Sequence, residues 1–222
     1  MKILVVDVGG THVKLASSHH RERREFTSGP RLTPKQMMEG IRKAASDWTY
    51  QVVSMGYPGV VLHGRIAREP HNLGSGWPAF DFRRAFGKPI KIVNDAAMQA
   101  LGSYRGRSML FLGLGTGLGS AMIVDGVLLP MELAHLPYRK ERTYEEYLGI
   151  LGLKRLGRKK WRRHVWDVVE RLRSALEVDY VVLGGGNARL LKKCPKGVYL
   201  GNNRHSVVGG LRLWRPTSGH PE

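Results

Sequence analysis

A single cysteine, Cys194, stands in the 222 residues. One thiol excludes an internal disulfide and a cysteine-cluster zinc site, and makes a reducing compartment, the cytoplasm by default, the expected home. Long apolar runs are missing too. The first, Ile3 to Val6, is cut at Asp7, so neither a secretory leader nor a membrane span is expected. Acidic residues are scarce, with 18 Asp and Glu against 36 Lys and Arg, for a net charge of +18. Such a balance attracts polyanions whatever the fold. It fits a phosphate-rich partner or a merely solubilising surface, and any nucleic acid would be held only through non-specific charge. No Gly-x4-Gly-Lys-Ser/Thr occurs, which excludes a P-loop. "GLGTGLGS" misses the dinucleotide fingerprint, because its third glycine would fall on Leu118 or Ser120.

What is present is an alternation of strands and helices, the pattern of an α/β protein. Residues 2–8 and 12–18 read as strands joined by "GGTH", with Gly9 and Gly10 expected at positive φ. Thr33 and Pro34 open a helix to Ala45 whose apolar face carries Met37, Met38, Ile41, Ala44 and Ala45. A strand at 51–56 runs into the Pro58-Gly59 turn, and a glycine- and tryptophan-rich loop follows. Then come a short helix at 81–86, a strand at 90–93 and a helix opened by Asn94. The second half begins again with strand, glycine turn and strand in "MLFLGLGTGLGSAMIV". Helices are expected at 143–150, 160–176, 187–192 and 204–214, with strands at "DYVVLGGG" and 197–200. The tail from Arg215 is expected to fray.

"DVGGTHVKLA" and "LGLGTGLGSAM" share one design, which implies two lobes. Glycine turns expose backbone N–H groups that converge on anionic oxygens. The two turns suit a phosphate chain, with Asp7 holding magnesium through water. In "IVNDAAMQAL", Asn94 alone needs no function beyond capping. Asp95, at the same strand-to-helix junction, suits a general base that takes a proton from an attacking hydroxyl. Glu132 and His135, one turn apart in "PMELAHL", fit either a surface ion pair or a grip on adjacent sugar hydroxyls. The glycines of "VVLGGGNARLL" fit a structural turn or a close approach to a nucleotide. Between Lys154 and Arg173, nine Lys or Arg face Asp167 and Glu170 around the apolar stripe Trp161, Val165, Val168, Val169 and Leu172. That segment is a solvated helix face or a polyanion track.

"DVGGTHVK", "GYPGVV", "NLGSGW", "VNDAA", "LGLGTGLGSA", "ELAHL", "LGGGNARL" and "NNRHSVVGG" occur in one order from Ile3 to Leu213. In that order the chain resembles the ROK sugar kinases of the actin-like ATPase superfamily, and among them the polyphosphate glucokinases. The resemblance implies a two-lobed actin-like (ribonuclease H-like) α/β fold. Its N-terminal phosphate and sugar lobe would span 1–94 with the last helix, 204–214, returning to it, and 95–203 would form a C-terminal lobe with donor-binding loops. It implies Asp95 as catalytic base, Asn94, Glu132 and His135 on sugar hydroxyls, and further sugar contacts from Asn72 and from Glu145 or Glu146. Asp7, Gly9, Gly10, Thr11 and Lys14 match the first phosphate motif. Gly115, Thr116 and Gly117 match the second, and Gly184, Gly185 and Gly186 the nucleotide loop.

The implied activity is phosphoryl transfer to the 6-hydroxyl of glucose, or of mannose, from polyphosphate, ATP or both, with magnesium. A homodimer is left open. A noncatalytic sugar-sensing or nucleic-acid-binding protein of the same fold is the alternative. No structural zinc and no repressor-type DNA-binding domain are expected. One departure is Ala134, where the family's histidine motif has glycine. If that position needs positive φ, alanine costs on the order of 1 kcal/mol and displaces His135.

Overall fold

A computed structural model describes residues 1–202 and 204–215. Asn203, the expected end of the C-terminal lobe, and the tail beyond Arg215 lie outside them. The described residues form two compact units, Met1–Met98 with Ser206–Arg215, and Gln99–His205.

In the first unit the opening apolar run becomes β1 (Ile3–Val8), which lies mid-sheet and is buried on both faces because a separate apolar cluster packs on each. It pairs antiparallel with β2 (His12–Ser17) and parallel with β4 (Val52–Tyr57). β3 (Arg24–Thr27) and β7 (Ile90–Asn94) complete the order β3-β2-β1-β4-β7. Helix α1 (Pro34–Ala44) starts at a capping box in which Thr33 and Gln36 satisfy each other's backbone N–H. Its Met37, Met38 and Ile41 are buried, each contributing about 1.5–3 kcal/mol of apolar burial. A small hairpin, β5 (Val61–Leu62) with β6 (Arg65–Ile66), and helix α2 (Phe82–Phe86) precede β7.

Helix α3 (Asp95–Ser103) leads into the second unit. There β8 (Ser108–Leu114) pairs antiparallel with β9 (Leu118–Val124), and β9 with β10 (Val127–Met131). A single 3-10 turn, Leu133–His135, follows. Next come the hairpin β11 (Pro137–Arg139) and β12 (Arg142–Thr143), then α4 (Tyr144–Leu148) and α5 (Ile150–Leu176). β13 (Tyr180–Gly184) and β14 (Val198–Leu200) pair parallel and give the order β10-β9-β8-β13-β14. Both sheets therefore run antiparallel, antiparallel, parallel, parallel, each containing one of the repeated strand-turn-strand units. The α5 stripe Trp161, Val165, Val168, Val169 and Leu172 is buried, and Trp161 Nε1 donates to Leu148 O at 2.9 Å, closing the end of α4. Helix α6 (His205–Arg212) carries the chain back to the first unit.

The structure departs from the expectations in several places, among them the unexpected hairpins β5–β6 and β11–β12. The expected helix at 187–192 is one 3-10 turn, Ala188–Leu190. The helix expected at 160–176 begins at Ile150 and is broken at Gly157, whose φ of 70° is left-handed. β3 and β10 are additional edge strands, and both are largely half-exposed or exposed.

Candidate functional site

In the first unit the candidates gather at the carboxyl ends of parallel strands, where α/β sheets bind ligands. Asp7 of β1, Gly56 of β4 and Val93 of β7 share one row, and Asn94 and Asp95 follow directly. Gly9 N donates to His12 O at 3.0 Å and so closes the first turn. Neither Gly9 nor Gly10 has positive φ, contrary to expectation. Glycine suits position 9 by closeness, since a Cβ would lie a tight 3.0 Å from the same carbonyl. Among the described residues the amides of Gly10 and Thr11 make no hydrogen bond. Asn72 lies against this turn, its Cβ 3.3 Å from where a Gly10 Cβ would stand. Its loop is shaped by Glu69, which accepts from Gly76 N at 2.8 Å and Trp77 N at 3.2 Å. Nothing periodic in the sequence marks Glu69.

Asp7 is paired in register with Lys14. Burial pushes its carboxyl up, partly offset by a hydrogen bond from Ser206 and by the Lys14 charge. Magnesium keeps several waters and needs only one or two carboxylates beside substrate phosphates. A lone half-buried Asp7 fits such an ion, held through water. Among the described residues no three His, Cys, Asp or Glu side chains converge as a metal cage.

Asn94 caps α3: its Oδ1 accepts from Ala96 N at 2.9 Å and Ala97 N at 3.3 Å, and its Nδ2 donates to Gly59 O at 3.0 Å. Asp95 is half-buried in the first helical turn, where a negative charge is favoured. Its Oδ1 accepts from Ala96 N at 2.7 Å.

In the second unit, Gly184 of β13 and Gly113 of β8 share a row, which places the second glycine turn and the "GGG" loop side by side. Asn187 ties them: its N donates to Leu114 O and its Nδ2 to Gly115 O, both at 2.9 Å. Gly185 has φ 79°, and a Cβ there would strike the Leu114 carbonyl. By contrast a Cβ on Gly115 or Gly186 would meet open space. Among the described residues the amides of Thr116, Gly117, Gly185 and Gly186 make no hydrogen bond.

Glu145 and Glu146 take separate places. Glu145 Oε2 accepts from Leu118 N at 3.0 Å and packs so tightly on Gly117 that a Cβ would collide with it. Glu146 forms the α4 capping box with Thr143 and is exposed; the Thr143-x-x-Glu146 spacing carries that signal in the sequence. Glu132 and His135 approach to 3.8 Å across the 3-10 turn, with side chains 55% and 67% exposed. Buried Ser120, another residue sequence reasoning missed, fastens this segment, donating to Met131 O at 2.9 Å and accepting from Leu133 N at 3.0 Å.

Ala134 is 1% exposed and lies in the 3-10 turn without positive φ, so the strain considered for it is absent. Ala134→Gly is accordingly expected to lower the unfolding free energy by about 0.5–1 kcal/mol in denaturant titration, with no gain in sugar use.

Most cations of the 154–163 segment, including Lys159, Lys160 and Arg163, are exposed, while Arg162 is half-buried. No helix among the described residues is long and apolar enough to cross a membrane. Cys194 is half-buried, and burial pushes its thiol up.

A model described as the ROK family matches residues 3–130. A polyphosphate glucokinase of Mycobacterium tuberculosis is 28% identical over 91% of this chain and 83% of its own. An N-acetylmannosamine kinase of Citrobacter koseri is 31% identical over 58% of this chain and 50% of its own. Among solved structures, an inorganic polyphosphate/ATP-glucomannokinase from Arthrobacter sp. strain KM superposes with a TM-score of 0.79 at 21% identity, covering 94% of this chain and 96% of that one. A ROK family glucokinase from Streptomyces griseus, in complex with glucose and AMPPNP, gives 0.72 at 15% identity, covering 96% and 99%. These likenesses show the two-sheet, actin-like α/β fold.

Proposed function

The chain belongs to the ROK family, and from that premise we propose that it is a hexose kinase transferring a terminal phosphoryl group to the 6-hydroxyl of glucose. The observation that carries the reading is the pair of glycine loops joined by Asn187, whose four unused amides and open faces at Gly115 and Gly186 leave room for anionic oxygens. A relative named polyphosphate glucokinase and a structural neighbour named polyphosphate/ATP-glucomannokinase support glucose as acceptor and polyphosphate or ATP as donor. The relative named N-acetylmannosamine kinase matches only 58% of the chain, which weighs less.

Residues 1–94, with the last helix, would serve as the phosphate and sugar lobe, and 95–203 would carry the donor loops. Asp95 takes the proton of the attacking hydroxyl, and the capped start of α3 fixes its position. Asn94 has one Nδ2 hydrogen beyond its capping bonds to offer a sugar hydroxyl. Asn72, Glu132 and His135 bind further hydroxyls. Glu145 serves the donor side by shaping the second glycine turn, in preference to a sugar contact, and Glu146 stabilises α4. Lys14 and the amides of Gly10 and Thr11 hold donor oxygens. Magnesium, when bound at Asp7, neutralises charge on the donor phosphates.

Glucose phosphorylation coupled to a reporter enzyme, run with ATP and with long polyphosphate, tests the reading; no product with either donor overturns it. In that assay Glu132→Ala should raise the KM for glucose by about 5- to 100-fold, the cost of a sugar hydroxyl left unpaired, with little change in the KM for the donor. Equal changes in both constants would remove Glu132 from sugar binding. The exposed cations of α5 favour one second reading, a noncatalytic binder of nucleic acid. Tight, salt-sensitive RNA binding without kinase activity would select it.

A further inference from the structure

Glu132 and His135 are both more than half exposed, so packing of their own side chains does not set where they point. The short turn that carries them is held by buried Ala134 in its middle, by the bond from Tyr144 N to Leu136 O, and at its two ends. At the first end Ser120 fastens Met131 and Leu133. At the other, three residues past His135, stands Tyr138.

Tyr138 is the hub of a network on α5. Its hydroxyl donates to Asp167 Oδ2 at 2.6 Å and lies 2.9 Å from His164 Nδ1. A phenol has one proton to give, so the second bond must run from the imidazole N–H to the phenol oxygen. Asp167 Oδ2 also accepts from Arg139 at 3.1 Å and from Arg171 Nε at 3.0 Å. The ring packs on Tyr144 at 5.3 Å, edge-on to Tyr147 at 4.8 Å and edge-on to His164 at 5.6 Å. Arg139 and Arg171 lie over it at 5.1 and 5.7 Å.

The surroundings shift each group toward the form that these bonds use. Burial and then Asp167 push the Tyr138 phenol up. The hydrogen bond from Tyr138, more than any other cause, holds the Asp167 carboxyl down. Burial, then Arg139, lowers His164 and keeps it neutral. A satisfied, partly buried network of this kind rigidifies what it touches.

We propose that the Tyr138–Asp167–His164 clamp sets the position of the Glu132–His135 pair, which makes Tyr138 and Asp167 positioning residues for the acceptor. The sugar-binding role of the pair is the reading argued above; the clamp itself is separable from it. Tyr138→Phe keeps the ring contacts and removes both hydrogen bonds. Asp167→Asn keeps an acceptor for the phenol, whereas Asp167→Ala removes it.

Hydrogen exchange of the free chain, read by mass spectrometry, should show residues 131–139 exchanging about tenfold faster in Tyr138→Phe and Asp167→Ala, and close to the parent in Asp167→Asn. The glucose KM should rise by about fivefold or more in the first two variants, with kcat and the donor KM within about twofold of the parent. Unchanged exchange over 131–139 overturns the clamp. So does faster exchange throughout the second unit with both KM values rising together, which marks a general loss of structure. Because exchange needs no substrate, it decides the clamp even if glucose proves not to be the acceptor.

Discussion

Asp95→Asn is expected to lower kcat for glucose phosphorylation by about 10²-fold or more, the usual contribution of a positioned general base, which is the role proposed for Asp95. The fold survives, because Asn94 supplies the cap of α3 through Ala96 and Ala97, and an asparagine at 95 still offers an oxygen to Ala96 N. Glucose binding, measured by calorimetry without donor, should stay within about threefold of the parent, since the acceptor hydroxyl can still bond to the amide oxygen. Melting temperature checks the fold in the same samples. A variant that turns over near the parental rate removes Asp95 from the mechanism.

Polyphosphate binding is expected to weaken steeply with salt, and neutralising Lys159, Lys160, Arg162 and Arg163 should flatten the dependence. A long polyphosphate carries charge on every unit, so a basic track can hold many units where ATP ends after three phosphates. Each cation engaged on a flexible polyanion adds about 0.7 to the slope of log affinity against log salt, so losing four flattens it by about 2 to 3. Over a fourfold rise in salt the parent then loses about 50-fold more affinity for the polymer than the variant. The ATP slope stays nearly unchanged. Apparent affinities for both donors across a salt series check this, with Lys154, Arg155 and Arg158 as the next positions along the segment. Equal slopes for polymer and ATP would assign the positive charge to another task.

How far these features could be read from sequence depended on whether a signal was periodic. The two strand-turn-strand units were legible because the largely apolar stretches Ile3–Val8 and Met109–Leu114 run into glycines. The cap of α1 was legible because Thr33 and Pro34 stand at its start. β3 and β10 escaped because edge strands need only half a buried face; "REFT" has no apolar alternation, and Pro130 speaks against a strand. At 187–192 the loop's own bonds won: Ala188 N turns back to Gly185 O and Leu190 N to Asn187 O, and no helix propagates.

The candidate site was legible where the turns call for small residues, most strictly at Gly185, whose backbone admits no Cβ, and less strictly at Gly9 and Gly117. Even there the reasons differ from those expected: the positive φ expected at Gly9 is absent and its turn is simply tight, while Gly185, read as a turn or a close approach, has a left-handed φ. Asn187, Ser120 and Glu69 went unnoticed because each acts through side-chain bonds to loop backbone distant in sequence, or to a loop without periodicity.

Helix α6 closes the sheet at which the chain begins. Its Gly210 lies against Val5, where no Cβ would fit. Gly210 O accepts from the fully buried Ser54 Oγ at 2.6 Å across 156 residues, and Trp214 Nε1 donates to the same hydroxyl at 3.0 Å across 160. Val207, Leu211 and Trp214 cover Ile3, Val5, Ala16 and Val52. Translation must therefore deliver every residue from 99 to 205 before the first unit can be finished. While the ribosome works through that stretch, a nascent chain carries one face of its earliest sheet uncovered, with the Ser54 hydroxyl lacking both later partners. Closing so long a loop costs little more at equilibrium than closing a shorter one, because the entropy grows only with the logarithm of length. The delay is kinetic, and it lengthens the time for which apolar surface of the first sheet stays open to unwanted association.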